Sequence, residues 1–329
     1  MPPLCRIAAA CAALLSPVTA HAYSALFVFG DSLSDAGNVY LATGGIEPAP
    51  PYANGQFSNG PTWVQDLSQN LGLGAEQPSL AGGNDYAFGG ATTGYAASNN
   101  AAVPSLQQQI DAFNTVHGNS APSTALYSVW IGANDLDRIL SSGPTAGQAV
   151  SEAEGAAAVE TAAISTLAAE GAKKFIVPLV PNLGLTPDST AAGGVAAAAA
   201  TGLSQIYDAT LTTGLEALAR ADALSVTIVD TYSLLDAAIA DPAAYGFTDA
   251  TDSCYQGPYT GGGSVCAEPK NYLFWDGLHP TAAGHAIIAA QAESDLPEPG
   301  TMALLGTGLA GIAVLRRRRF ATLLRPRHA

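Results

Sequence analysis

Ser32 lies in the run Gly30-Asp31-Ser32-Leu33-Ser34-Asp35-Ala36-Gly37, followed by Asn38 and preceded by the apolar stretch Ala25-Leu26-Phe27-Val28-Phe29. A glycine-flanked turn at the exit of a buried strand exposes a hydroxyl as a nucleophile. Serine attacks only when a base accepts its proton, and that base needs a fixed tautomer. Trp275-Asp276-Gly277-Leu278-His279-Pro280 supplies both parts. Asp276 can turn back to the Nδ1–H of His279, leaving Nε2 for Ser32. Of the five histidines, His21 and His328 fall in the terminal segments. His117 reads as a helix C-terminal cap, and His285 as a surface or supporting group on the helix after His279. His279 is therefore the expected base.

Attack on an ester carbonyl creates an oxyanion, so donors must already face it. The candidates are the backbone N–H groups of Ser32 and Gly90 and the side-chain amide of Asn134. Gly90 stands in Phe88-Gly89-Gly90-Ala91-Thr92, and Asn134 in Ile131-Gly132-Ala133-Asn134-Asp135. Taken singly, Gly89-Gly90 reads as a turn and Asn134 as a helix cap. Their order between Ser32 and His279 favours the oxyanion reading. Asp31 has turn N–H groups to accept, and Asp35 or Ser34 can cap a following helix. A metal phosphoesterase built on Asp31, Asp35, Asp135 and Asp276 is the weaker alternative: histidines are too few, and Ser32 would have no purpose.

These residues need a sheet to bring them together. Apolar runs at residues 24–29, 85–88, 126–131, 174–179 and 226–229 read as strands. Residues 62–71, 105–116, a long segment within 147–170, 195–221 and 281–294 read as helices. Continuously apolar strands separated by helices predict a mostly parallel five-stranded sheet covered on both faces, a three-layer α/β/α sandwich. Irregular stretches at 41–61 and 245–271 carry Tyr52, Phe57, Tyr255 and Tyr259 and are placed to wall a substrate cleft. Cys254 and Cys266, in a Gly-rich stretch, are expected to form a disulfide clamping a surface loop.

On these motifs the chain resembles the GDSL, or SGNH, hydrolase family in its secreted lipase/esterase-like branch. The resemblance extends over residues 24–294 and includes Asn84-Asp85-Tyr86-Ala87-Phe88-Gly89-Gly90-Ala91-Thr92-Thr93 and Phe274-Trp275-Asp276-Gly277-Leu278-His279-Pro280-Thr281. It implies a flavodoxin-like fold, a catalytic set of Ser32, Asp276 and His279, and an oxyanion hole of Ser32, Gly90 and Asn134. It also implies an acyl-serine intermediate and no cofactor or metal. Substrates across the family include short-chain esters, longer lipids, phospholipids and acetylated or feruloylated sugars, so the substrate class does not transfer. Acyl transfer through the same intermediate is the runner-up. A catalytically silent surface or matrix-binding protein is undercut by the complete catalytic set.

The chain has 329 residues, 48% hydrophobic and only 12% charged, enough for one large core. Residues 1–22 carry Arg6, an apolar stretch, a break at Ser16-Pro17 and Ala20-His21-Ala22, and read as a secretory signal peptide cut after Ala22. Lipidation at Cys11 is disfavoured by Ala8. Residues 297–329 join Pro297-Glu298-Pro299 to an apolar run and Arg316-Arg317-Arg318-Arg319. They resemble the PEP-CTERM sorting signals of Gram-negative bacteria, with a short transmembrane segment. Fifteen apolar residues reach only about 22 Å of a roughly 30 Å hydrocarbon layer. Flanking residues extend that reach somewhat; the resemblance implies a tail removed by a membrane-bound processing enzyme, with a retained membrane anchor as the alternative. The expectation is a protein exported across the inner membrane, met by export and sorting machinery, and secreted or held at the cell surface. Residues 23–296, the expected hydrolase domain, hold five basic against 26 acidic residues, a formal charge of −21. Such a field opposes nucleic acid and favours a neutral ester substrate. A monomer is expected.

Overall fold

Leu26–Gly30 is buried at every position and forms strand β1, the apolar run that the nucleophile turn requires. The computed structural model describes residues 22–96 and 102–297, so nearly all of the expected leader and of the expected tail lies outside the described residues. After β1 come helices α1 (Asn38–Ala42), α2 (Trp63–Asn70) and α3 (Leu106–His117), then strand β2 (Leu126–Trp130). Helices α4 (Ala133–Ser142) and α5 (Ala146–Ala169) lead to β3 (Lys174–Pro178); α6 (Pro187–Ala191) and α7 (Gly194–Asp222) lead to β4 (Ser225–Val229). The chain closes with α8 (Thr231–Ala240), four short strands and α9 (Ala282–Asp295). The short strands are β5 (Asp249–Ser253), β6 (Tyr255–Gln256), β7 (Ser264–Val265) and β8 (Tyr272–Phe274).

The central sheet runs β1-β2-β3-β4, all parallel, with Phe27 opposite Tyr127 and Tyr127 opposite Phe175. Alternate side chains serve opposite faces. Phe27, Phe29, Tyr127, Val129 and Phe175 enter the core shared with α3, α4, α5 and α7. On the other face, Trp63 of α2 meets Trp130 edge-on at 5.4 Å, and α9 packs on α2 and β4. This is the expected three-layer α/β/α architecture.

The expected fifth strand at residues 85–88 is a correction. That segment runs beside β1 through a single bridge, Val28 to Asp85. Tyr86 donates to the Val28 carbonyl at 2.7 Å and Phe88 to that of Gly30 at 3.2 Å. Its ladder stops there because the Asp85 carboxylate turns inward, accepting the N–H groups of Ala87 and Ala36, each at 2.8 Å. The segment is bent into the nucleophile turn, and the sheet counts four strands. Helices α4 and α8 were not foreseen. The first begins inside the asparagine motif, and the second, Thr-Tyr-Ser-Leu-Leu-Asp-Ala-Ala-Ile-Ala, shows no clear polar face.

From β1 the chain passes to residues 84–88 on one side and then to β2 on the other. That reversal opens a crevice at the carboxyl end of β1, where Ser32 follows Gly30. Two glycines permit the approach. A Cβ on Gly30 would lie 2.3 Å from the Trp130 carbonyl oxygen. Gly132, at φ +111° ahead of α4, would place one 2.4 Å from the Tyr207 ring. Gly132→Ala combines a left-handed backbone with overpacking, and is expected to lower stability by at least about 2 kcal/mol. Denaturant titration at unchanged slope measures it.

Candidate active site

The nucleophile turn is held by carboxylates. Ser34 and Asp35 donate their backbone N–H groups to the Asp31 carbonyl at 3.1 and 3.0 Å, and Leu33 donates to Asp31 Oδ1 at 3.0 Å. Asp35 accepts from Gly37, Asn38 and Val39 at the start of α1, and from Gly89 across the crevice at 2.9 Å. It is the helix cap expected from the sequence and also ties the Gly89-Gly90 block to the turn. Asn38 completes the seam, donating to the carbonyls of Asp85 and Ala87 while its Oδ1 accepts from Ser79 and Leu80. Burial pushes Asp35 up to about 6 against the pull of these N–H groups, and Asp31 up to about 7.

His279, the expected base, sits on a tight loop. Trp275 N–H bonds the His279 carbonyl at 2.7 Å, closing the chain around Asp276, while Thr281 caps α9 through the Gly284 N–H at 3.1 Å. Asp276 Oδ1 accepts the N–H groups of Leu278 and His279 at 2.9 and 2.7 Å. Its Oδ2 lies 2.8 Å from His279 Nδ1, and His279 Nε2 lies 2.8 Å from Ser32 Oγ. The three expected residues thus form one continuous hydrogen-bonded chain, buried throughout. Burial alone would raise the Asp276 carboxyl, but the imidazole and its bonds outweigh burial and hold it at about 2. Burial would likewise lower His279. The Asp276 charge and bond, with Asp31 and Asp188 beyond, bring the ring above the ordinary imidazole value.

Tyr52 was not anticipated in this set. Its hydroxyl donates to Asp276 Oδ2 at 2.7 Å, the only bond that oxygen receives besides the imidazole among the described residues. Its position in a Pro-rich loop marked it as a cleft wall, and nothing in the sequence linked it to residue 276.

Ser32, Gly90, Asn134 and His279 border one open cleft of about 500 Å³. Both long loops wall it, as expected: Glu47 and Phe57 from one, Tyr259 from the other. The Phe57 ring lies 5.3 Å and the Tyr259 ring 6.0 Å from the His279 ring. Cys254 and Cys266 are joined and clamp the β6–β7 hairpin that presents Tyr259. Among the described residues, neither the Ser32 nor the Gly90 backbone N–H is spent on an acceptor. Asn134 Nδ2 donates to the Ala91 carbonyl at 2.9 Å and to Asp31 Oδ2 at 3.3 Å.

The other candidates separate clearly. The four carboxylates weighed for a metal centre are committed individually: Asp31 to Leu33 N–H and the Asn134 amide, Asp35 to backbone, Asp276 to His279, and Asp135 to Thr93 through its N–H and hydroxyl, each at 2.8 Å. His117 does not cap α3. Gly118 does so in the left-handed conformation, while the His117 ring stacks on Phe113 at 4.4 Å. His285 is fully buried rather than on the surface, with neither ring nitrogen bonded among the described residues. Burial pushes it down to about 3, so it is neutral.

A hydroxyl, an imidazole and a carboxylate bonded in series at the exit of a parallel strand are the equipment of a serine hydrolase. The chain belongs to the GDSL-like lipase/acylhydrolase family, whose profile matches residues 26–292. The PEP-CTERM protein-sorting motif matches residues 295–319 and indicates export and sorting in Gram-negative bacteria. The chain is 30% identical to Lipase 1 of Photorhabdus luminescens, over 87% of this chain and 52% of that protein. It is also 30% identical to the esterase EstA of Pseudomonas aeruginosa, over 86% and 48% respectively. It therefore spans about half the length of these relatives. A phosphatidylcholine-sterol acyltransferase of Aeromonas hydrophila is 25% identical, over 82% of this chain and 89% of that protein.

Tyr52→Phe removes a hydrogen bond to a buried, charged carboxylate and is expected to lower stability by roughly 1.5–3 kcal/mol. The denaturant midpoint at neutral pH reads this directly. An unchanged midpoint would show that Asp276 Oδ2 does not depend on the phenol.

Proposed function

We propose that the protein is an exported serine esterase that hydrolyses carboxylic esters through an acyl-serine intermediate. The observation that carries this reading is the continuous chain from Ser32 Oγ through His279 to Asp276. Ser32 Oγ attacks the ester carbonyl carbon as its proton passes to His279 Nε2. Asp276 holds the Nδ1–H and stabilises the imidazolium. The N–H groups of Ser32 and Gly90 and the Asn134 amide receive the oxyanion. Collapse breaks the bond to the alcohol oxygen, which leaves with the proton from His279. Water then repeats the sequence on the acyl-serine, releasing the acid and restoring Ser32. In this reading residues 1–22 are the export signal, 23–296 the hydrolase domain and 297–329 the sorting tail, and the domain reaches the cell surface or medium after processing.

Acyl transfer is the second reading, supported by the match to the Aeromonas acyltransferase over most of that protein's length. It uses the same acyl-serine with an alcohol in place of water. Product analysis with added glycerol separates the two: free acid marks hydrolysis, a new ester marks transfer.

Ser32→Ala is expected to fold normally and lose at least about a thousandfold in turnover of a p-nitrophenyl ester. Asn134→Ala is expected to lose about a hundredfold. Wild-type rates from a clean Ser32→Ala preparation would overturn the assignment. The base must be neutral to accept a proton, and the His279 pKa lies above the 6.5 of a free imidazole. The kcat/KM profile is therefore expected to fall as pH drops through a midpoint above 6.5, and the His279→Ala variant to lose that limb.

A further inference from the structure

A second cavity reaches Ser32, and the proposed reaction does not yet use it. It is narrow, about 50 Å³, and extends between α8 and α9 beneath β8. Its walls include Trp130, Leu183, Leu234, Leu235, Phe274 and Ile288. The polar side chains on its lining are few. Asp31, Ser32 and Asn134 belong to the site itself, and Thr186 and Thr231 are the others. Thr186 Oγ1 donates to the Leu183 carbonyl at 2.8 Å, and Thr231 Oγ1 donates to that of Leu179. Neither hydroxyl is offered to a ligand. The cavity therefore holds a ligand by apolar contact and shape.

Ser32, Asn134 and Leu278 border both the narrow cavity and the open cleft. His279 borders only the cleft. That asymmetry orients the ester. The leaving alcohol oxygen must take its proton from His279 Nε2, so the alcohol lies on the side that His279 faces, in the open cleft. The remaining substituent on the carbonyl carbon is the acyl chain, and the apolar cavity is the space left for it.

We infer that the cavity between α8 and α9 is the acyl subsite, and that it takes an unbranched aliphatic chain. The inference rests on Ser32 and His279 acting as nucleophile and base. It adds the acid half of the substrate, assigned to the small apolar cavity, and leaves the alcohol half to the tenfold larger cleft.

The test places the same carbon chain on either side of the ester: ethyl butanoate, hexanoate and octanoate against butyl, hexyl and octyl acetate. In the acyl series kcat/KM is expected to rise about fourfold per buried methylene until the cavity is full, while the acetate series stays nearly flat. Leu234→Trp narrows the cavity and is expected to lower the ratio of octanoate to acetate turnover at least about tenfold. Leu234→Ala is expected to shift the optimum to longer acids. Far-UV circular dichroism and the labelling rate with a small fluorophosphonate check that both variants are folded and carry an active serine. A length dependence confined to the alcohol side, or an acyl preference unmoved by both variants, would overturn the subsite while leaving the esterase standing. Wild-type protein that turns over no ester and takes no fluorophosphonate would overturn both.

Discussion

Four backbone N–H groups converge on the Asp35 carboxylate, and the position of Ser32 depends on that convergence. Three come from the first turn of α1 and the fourth from Gly89, on a segment far away in the chain. A buried carboxylate is tolerated only when its oxygens are occupied, so the turn and the Gly89-Gly90 block cannot drift apart without stranding a charge. Asp85 repeats the arrangement in reverse, reaching from the glycine block to the Ala36 N–H. The serine turn and the Gly89-Gly90 block are therefore held by reciprocal carboxylates rather than by packing alone.

The imidazole side follows a different logic. Asp276 and His279 are fixed by a short loop closed on itself at Trp275, and the Asp276 oxygen that meets the imidazole is also held by a phenol from the loop opposite. Tyr52 also packs edge-on against Tyr255 and Trp275, at 5.2 and 6.1 Å. Orientation of the base thus reaches into the aromatic cluster beside the disulfide. The flexible-looking loops are part of the machinery as well as walls of the cleft.

The residues that converge at the candidate site were readable from local sequence because each sits in a short motif with its own turn grammar: Gly30 before Ser32, Gly90 after Gly89, Gly277 between Asp276 and His279. Four of the five expected strands form, and the fifth failed for a reason no local pattern shows: the Asp85 side chain accepts the backbone N–H groups of Ala87 and Ala36. Tyr52 was missed because its partner lies 224 residues away. The surface alternative for His285 fell away; α9 carries little amphipathic contrast, so its buried face could not be read. The narrow apolar cavity was hidden most deeply, since α8 shows no clear polar face and the aromatic loops drew attention to the opposite side of Ser32.

Ser32 and His279 are separated by 247 residues. A chain crossing a membrane amino end first delivers the serine early and its imidazole only near the end of the domain. Until that last loop emerges, the hydroxyl has no proton acceptor and the Asp85 seam has no partner for Ala36 until the glycine block has crossed. The constellation is thus completed in one late step, when the Asp276–His279 loop meets a turn made near the other end of the domain.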